Sequence, residues 1–85
     1  MVIPIGNKNF LDSESIVAIL IADSAPAMRL RRGAKKSRKL IDATSGKRAR
    51  SVIVLKSNQI VLSALQVETL KSRFTASKYI NWEFL

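Results

Sequence analysis

Chemistry in this sequence rests on its cations: ten of its fifteen Lys and Arg residues fall between Arg29 and Arg50, a stretch holding one acid, Asp42. Arg29, Arg31, Arg32, Lys35, Lys36, Arg38 and Lys39 read as one helix. Lys47, Arg48 and Arg50 follow Gly46 in a turn. So much like charge costs a small domain self-repulsion, and a polyanionic partner rationalises it, nucleic acid above all. The Ser45–Arg50 turn has the parts of a phosphate clamp. Gly46 can take φ > 0, which lets successive backbone N–H groups converge on an anion. Lys47 supplies a point charge and Arg48 a planar fork for two phosphate oxygens. Thr44 and Ser45 add hydroxyl donors, and Arg50, opening a strand, is expected on the other side of the turn from Arg48. On the helix, Arg29, Arg32, Lys36 and Lys39 share a face. That face is either simply solvated or a source of non-specific backbone attraction, because the Asn and Gln side chains that read bases well are absent from it.

Composition excludes most alternatives. With neither His nor Cys, the usual general base, the thiolate nucleophile, disulfides and soft-ligand metal sites are all missing. The six acids, Asp12, Glu14, Asp23, Asp42, Glu68 and Glu83, are scattered. The Asp12/Glu14 pair lies in a Ser-rich segment that reads as a solvated turn or helix start. Asp42 reads as structural: it either pairs with a base across the sheet or orders the turn through backbone N–H groups. The expectation is a non-enzyme with no cofactor, no metal and no evident small-molecule substrate. A net charge of +9 suits a phosphate backbone, an anionic membrane surface or an acidic protein. The basic helix lacks bulky apolar anchors, which argues against membrane insertion. With no 18-residue apolar run and no signal-peptide pattern, a cytoplasmic protein is expected.

The elements that must position these cations can be read in order. Val2–Ile5 is an edge strand, since Pro4 cannot donate to a ladder. Gly6–Asn9 is a turn, and Phe10–Leu11 resumes the strand. Ile16–Ile21 is an apolar run of strand length. Ser24 can cap a helix with Pro26 in its first turn. That helix, from about Ala25 to Lys39, places Ala27, Leu30, Ala34, Ser37 and Ile41 along one face. Gly33 within it marks either a close backbone approach or a merely tolerated glycine. Strands follow at Leu40–Thr44, Arg50–Leu55 and Ile60–Leu65, the last two forming a hairpin about Lys56–Gln59. Gln66–Phe74 reads as a second short helix with Val67, Leu70 and Phe74 on one side. The expected fold is α+β: a small, mainly antiparallel sheet with one basic helix and a short C-terminal helix. Residues 1–74 form the domain. Residues 75–85 are an unassigned tail whose Tyr79 and Trp82 could stack on bases, although packing against the domain or a neighbour is the preferred reading.

The strands carry a second message. A half-exposed antiparallel strand alternates apolar and polar residues, and Ile16–Ile21, Val52–Leu55 and Ile60–Leu65 do not. They ask for cover on both faces: either the helices and the tail cover enough, or, since two short helices, one heavily charged, are poorly suited to supply it, a neighbouring subunit does. One core of this size contributes only about 3–5 kcal/mol. A homo-oligomer is therefore expected, a neighbouring subunit packing on the uncovered surface or edge.

Two ungapped blocks then suggest a family. Ser24-Ala25-Pro26, with Leu40 to Arg50 and Val52-Ile53-Val54, and the stretch from Ile60 to Thr69 resemble the RemA-like bacterial extracellular matrix regulatory proteins, over roughly residues 3 to 74. The resemblance implies a DNA-binding transcriptional regulator of the biofilm-matrix and osmoprotection type. It also implies a closed ring whose basic rim makes several contacts along one duplex of DNA. Paired arginines used for DNA contact in the family match Lys47 and Arg48. A third basic residue of the family falls at Ser15, and the family's Tyr before the loop glycine falls at Ser45, so both positions depart from the pattern. Two rivals share the charge argument. One is an RNA-binding or ribosome-associated protein, disfavoured because the central strands carry no aromatics. The other is a non-enzymatic oligomeric interaction protein.

Overall fold

In a computed structural model, residues 1–83 are described, with side chains described through Ala76; Phe84 and Leu85, and the side chains of Tyr79 and Trp82, lie outside that description. The elements run β1 (Val2–Gly6), β2 (Asn9–Asp12), a 3-10 turn (Ser13–Ser15), β3 (Ile16–Ile21), α1 (Ala25–Lys36), β4 (Leu40–Asp42), β5 (Ser51–Leu55), β6 (Ile60–Ser63) and α2 (Val67–Glu83). The fold is α+β, as the sequence predicts. The strands divide into a β1–β2 hairpin and a four-stranded sheet in the order β3-β5-β6-β4. In the larger sheet β4 runs parallel to β6 while β3–β5 and β5–β6 are antiparallel. Pro4 faces Phe10 in the separate hairpin, where its missing donor costs the main sheet nothing.

The non-alternating strands find their explanation within the chain. Ile53, Leu55 and Val61 pack with Ile3, Ile5 and Leu70, so one face of the sheet lies under the hairpin and α2. Val52, Ile60 and Leu62 pack with Ala22, Ala27 and Ala34 under α1. Successive residues of β5 thus alternate between two covered faces, and both are apolar because both are buried. The expectation that the helices would leave these central strands bare is corrected: the hairpin, read only as an edge, is the missing cover. Within the four-stranded sheet the large apolar residues that stay exposed lie at the rims, Val17 and Ile21 on β3 and Ile41 on β4.

The sequence places the start of α1 well and its end poorly. Ser24 Oγ accepts from the Ala27 amide at 3.3 Å, with Pro26 in the first turn. The helix stops at Lys36 rather than Lys39: the Arg38 amide donates to the Lys35 carbonyl at 3.4 Å and the Lys39 amide to the Ala34 carbonyl at 2.8 Å. This double closure ordinarily puts a glycine in the left-handed position. Here Arg38 occupies it with φ +57°, so no glycine announces the end. Arg38 and Lys39 therefore leave the helix. Its buried stripe is Ala27 and Ala34 with half-buried Arg31 between them, while Leu30 and Ser37 are exposed and Ile41 belongs to β4. A Cβ added at Gly33 would meet nothing within 4 Å, so Gly33 marks no close approach. The predicted strand Leu40–Thr44 ends at Asp42, and that at Ile60–Leu65 ends at Ser63. The second helix begins at Val67 and continues past Phe74 to Glu83.

Two buried serines knit the layers together. Ser51 and Ser63 face one another across β5 and β6, each fully buried. Ser63 Oγ donates to the Ile5 carbonyl at 2.7 Å and accepts from the Leu65 amide at 3.1 Å, which ties the hairpin to the sheet. Ser51 Oγ donates to the Leu65 carbonyl. Truncating Ser63 strands a buried amide and a carbonyl together. We expect Ser63→Ala to lower unfolding free energy by about 1–3 kcal/mol in urea denaturation. Ser57→Ala, on the exposed β5–β6 turn, should stay within about 0.5 kcal/mol of wild type.

Candidate nucleic-acid interface

The cationic turn exists because of the sheet's strand order. β4 and β5 lie on opposite sides of β6, so the chain between them must pass across the end of β6. Residues 43–50 make that passage, pinned at both ends to consecutive β6 carbonyls. The Ala43 amide donates to Leu62 at 3.0 Å and the Arg50 amide to Ser63 at 2.8 Å. The Arg50 carbonyl in turn accepts from Ala22 at 3.1 Å. A cationic side chain at position 50 thus starts from backbone held on both sides.

Within the passage, Ser45 (φ +54°) and Gly46 (φ +82°) form a tight turn closed by the Lys47 amide donating to the Thr44 carbonyl at 3.1 Å. Two successive positive φ values with this closure are the pattern of a type I′ turn. The Lys47 amide is therefore engaged inside the turn, which removes one of the N–H groups expected to converge on an anion. Gly46 does adopt the conformation the sequence suggests. Lys47, Arg48 and Arg50 are all exposed.

Three groups hold the turn, and sequence reading foresaw one of them. Asp42 Oδ1 accepts from the Thr44 amide at 2.9 Å and the Thr44 hydroxyl at 2.6 Å; of its two predicted structural roles, ordering the turn is the one observed. The Asn7 side-chain amide donates to the carbonyls of Ala43 (3.2 Å) and Thr44 (3.1 Å). Asn9 donates to the Ala43 carbonyl at 3.4 Å and to Gly6 and Asn7 at 3.3 Å each. Gly6, Asn7 and Lys8 all have positive φ, so the hairpin tip curls into the shape that presents both asparagines. The run Gly6-Asn7-Lys8-Asn9 signals a turn in sequence, but nothing local says that it docks 36 residues away. It also sets exposed Lys8 beside the passage, a cation the sequence reading left out.

The predicted helix cations are only partly brought to this place. Arg48 Nη2 donates to Asp23 Oδ2 at 3.1 Å, which links the passage to the residue before the α1 cap. Arg29, Arg32 and Lys36 are exposed, and by helical geometry they lie away from the Ala27–Ala34 stripe. Lys36 stands about 18 Å along the axis from Ser24, so the far end of the helix cannot share an anion with the turn. Arg31, Arg32 and Lys35 instead line a groove of about 450 Å³ with Met28, Leu40, Leu62 and Asp42. Asp12, the other acid considered for chemistry, accepts from the Glu14 amide at 3.1 Å and caps the 3-10 turn.

The Thr44 hydroxyl, then its amide, hold the Asp42 carboxyl below the ordinary value of 3.8, with the Arg31 charge adding to the effect. A depressed carboxylate contributes its stabilisation above the unfolded-state value and loses it as pH falls through the folded one. The Thr44 amide resonance should therefore titrate with a midpoint below 3.8 in NMR spectra of wild type. Asp42→Asn should abolish that transition and loosen the Thr44–Lys47 closure, read as faster amide exchange at Lys47.

The model of the RemA-like family, described as extracellular matrix regulatory protein A-like, matches residues 2–74. A protein of Desulfosudis oleivorans is 46% identical over 72 residues, covering 85% of this chain and 74% of its own. One from Maridesulfovibrio salexigens is 42% identical over 77 residues, covering 91% and 90%. One from Thermosipho melanesiensis is 47% identical over 75 residues, covering 88% and 80%. All three bear names that propose a regulatory role. With the family model spanning nearly the whole described domain, this chain belongs to the RemA-like family of regulatory proteins.

Proposed function

We propose that this protein is a DNA-binding transcriptional regulator, of the kind that controls biofilm-matrix and osmoprotection genes, and that it grips the duplex backbone through the passage at residues 43–50. The observation that carries the reading is the mounting of Lys47, Arg48 and Arg50: exposed cations on a loop pinned to consecutive β6 carbonyls and braced by Asp42, Asn7 and Asn9. A rigid mount spares the ordering entropy that a flexible basic loop would lose on binding. Phosphate contacts of this kind position a protein without conveying sequence. Selectivity would come from duplex shape and bendability, read by several copies of the turn carried on one homo-oligomer. The exposed apolar residues at the two rims of the sheet, Val17, Ile21 and Ile41, support contact between copies there. Arg29 adds attraction nearer the Ser24 end of α1, and Arg32 and Lys36 add to the general field. Among the described residues no helix is long and apolar enough to cross a membrane.

Binding of a long AT-rich duplex across a salt series tests this, with light scattering to check the assembly. Lys47→Ala/Arg48→Ala should keep the wild-type mass, weaken binding on the order of tenfold or more, and flatten the log–log salt slope by about 2 for each engaged turn. Survival of binding would shift the site to the Arg29–Arg32 face. Equal affinity for a duplex of one helical turn would remove the multi-contact part of the reading, and no binding by wild type at low salt would remove DNA altogether.

A further inference from the structure

Among the described residues, Arg48 is the cation of the passage whose guanidinium already holds a carboxylate, that of Asp23 at 3.1 Å. The pair is not a buried brace: the two side chains are 68% and 72% exposed, where an ion pair adds little to stability and is screened by salt. Nor does Asp23 perform the capping its position invites. Ser24 does that, its Oγ accepting from Ala27 and its own amide donating to Ile21 at 3.1 Å. The passage itself is held by Asp42, Asn7 and Asn9, without the Asp23 pair. A carboxylate thus sits on the fork best suited to a phosphate, in a chain with only six acids.

We propose that Asp23 is a built-in competitor for Arg48, occupying the guanidinium in place of a backbone phosphate and so setting how tightly the turn holds an anion. The inference rests on the nucleic-acid reading above. A phosphate that takes the Arg48 fork must displace the carboxylate or bind beside it, and either lowers affinity. Because the carboxylate is tethered, its local concentration does not fall on dilution, so every anion meets the same competitor. The penalty is the same for every anion, and a ligand offsets it by supplying other phosphates to Lys47 and Arg50 at the same time.

The test compares duplex binding by wild type, Asp23→Asn and Glu14→Gln at fixed salt, with circular dichroism and light scattering confirming fold and mass. Glu14→Gln makes the same change in net charge, in the 3-10 turn before β3. Asp23→Asn should tighten binding about 2- to 5-fold per engaged turn, more where several turns share one duplex, while Glu14→Gln changes it less than about twofold. In an Arg48→Ala background at low salt, Asp23→Asn should give no tightening beyond that control. Affinity unchanged or weakened by Asp23→Asn would overturn the inference, as would equal tightening by Glu14→Gln or tightening that persists without Arg48. Those results, with wild type still binding, leave the DNA reading intact; failure of wild type to bind any duplex removes both.

Discussion

The strand order around β6 constrains everything else in this molecule. β6 pairs with β4 on one side and β5 on the other, yet β4 and β5 are consecutive in the chain. A connection between strands separated by a third must pass over that strand's end, and it exposes backbone there unless something satisfies it. Here the last two β6 carbonyls are met by the amides of Ala43 and Arg50. The start of the passage sinks inward, with Ala43 and Thr44 buried, and its cations are left on the outside. The charged surface is in this sense a by-product of topology. The chain is obliged to place a short, braced segment at this corner, and the sequence fills its exposed part with Lys47, Arg48 and Arg50.

That corner is also braced by the small hairpin beneath it. β1 and β2 form a separate sheet that makes one wall of the core through Ile3 and Ile5, while its tip reaches the passage through Asn7 and Asn9. The same element therefore covers the sheet and braces the cations. Ser63 joins the two duties, since its hydroxyl ties Ile5 of the hairpin to the strand whose end the passage crosses. A loss of packing under the hairpin would be felt as a loss of order at Lys47, although no side chain of β1 touches it in any contact described above.

Much of this was legible in the sequence, for reasons that can be named. The α1 start was readable because Ser24 and Pro26 are local signals whose physics is complete within one turn. Its end was not, because the left-handed closure uses Arg38 where glycine is expected. The strands β3, β5 and β6 were found from their apolar runs. Their need for cover on both faces is legible too; its source is not, because only the tertiary fold shows that a segment marked by Pro4 as an edge packs across the face of another sheet. Among the site residues, Gly46, Lys47, Arg48 and Arg50 stood out by type and spacing. Asn7, Asn9 and Asp23 did not, since each acts on a partner at least 25 residues away, and a turn asparagine or a helix-start aspartate looks ordinary on its own.

The distribution of charge also explains how so basic a chain can keep a folded core. Like charges repel most where they are close and desolvated, and most of the cations here avoid the second condition. Arg29, Arg32 and Lys36 stand in solvent along the outside of α1, Arg38 and Lys39 leave the helix by a reversal of the backbone, and the passage carries its own three at another corner. The acids nearest them are spent locally. Asp42 is committed to Thr44 with Arg31 close enough to affect its proton, and Asp23 to Arg48. Neither touches the core, and neither neutralises more than one corner of the surface. The field that remains is therefore strong and spread over several separated patches on one small domain. A single phosphate can satisfy one patch and no more; under the proposed function a long polyanion, laid across repeated copies of the same corner, would satisfy many.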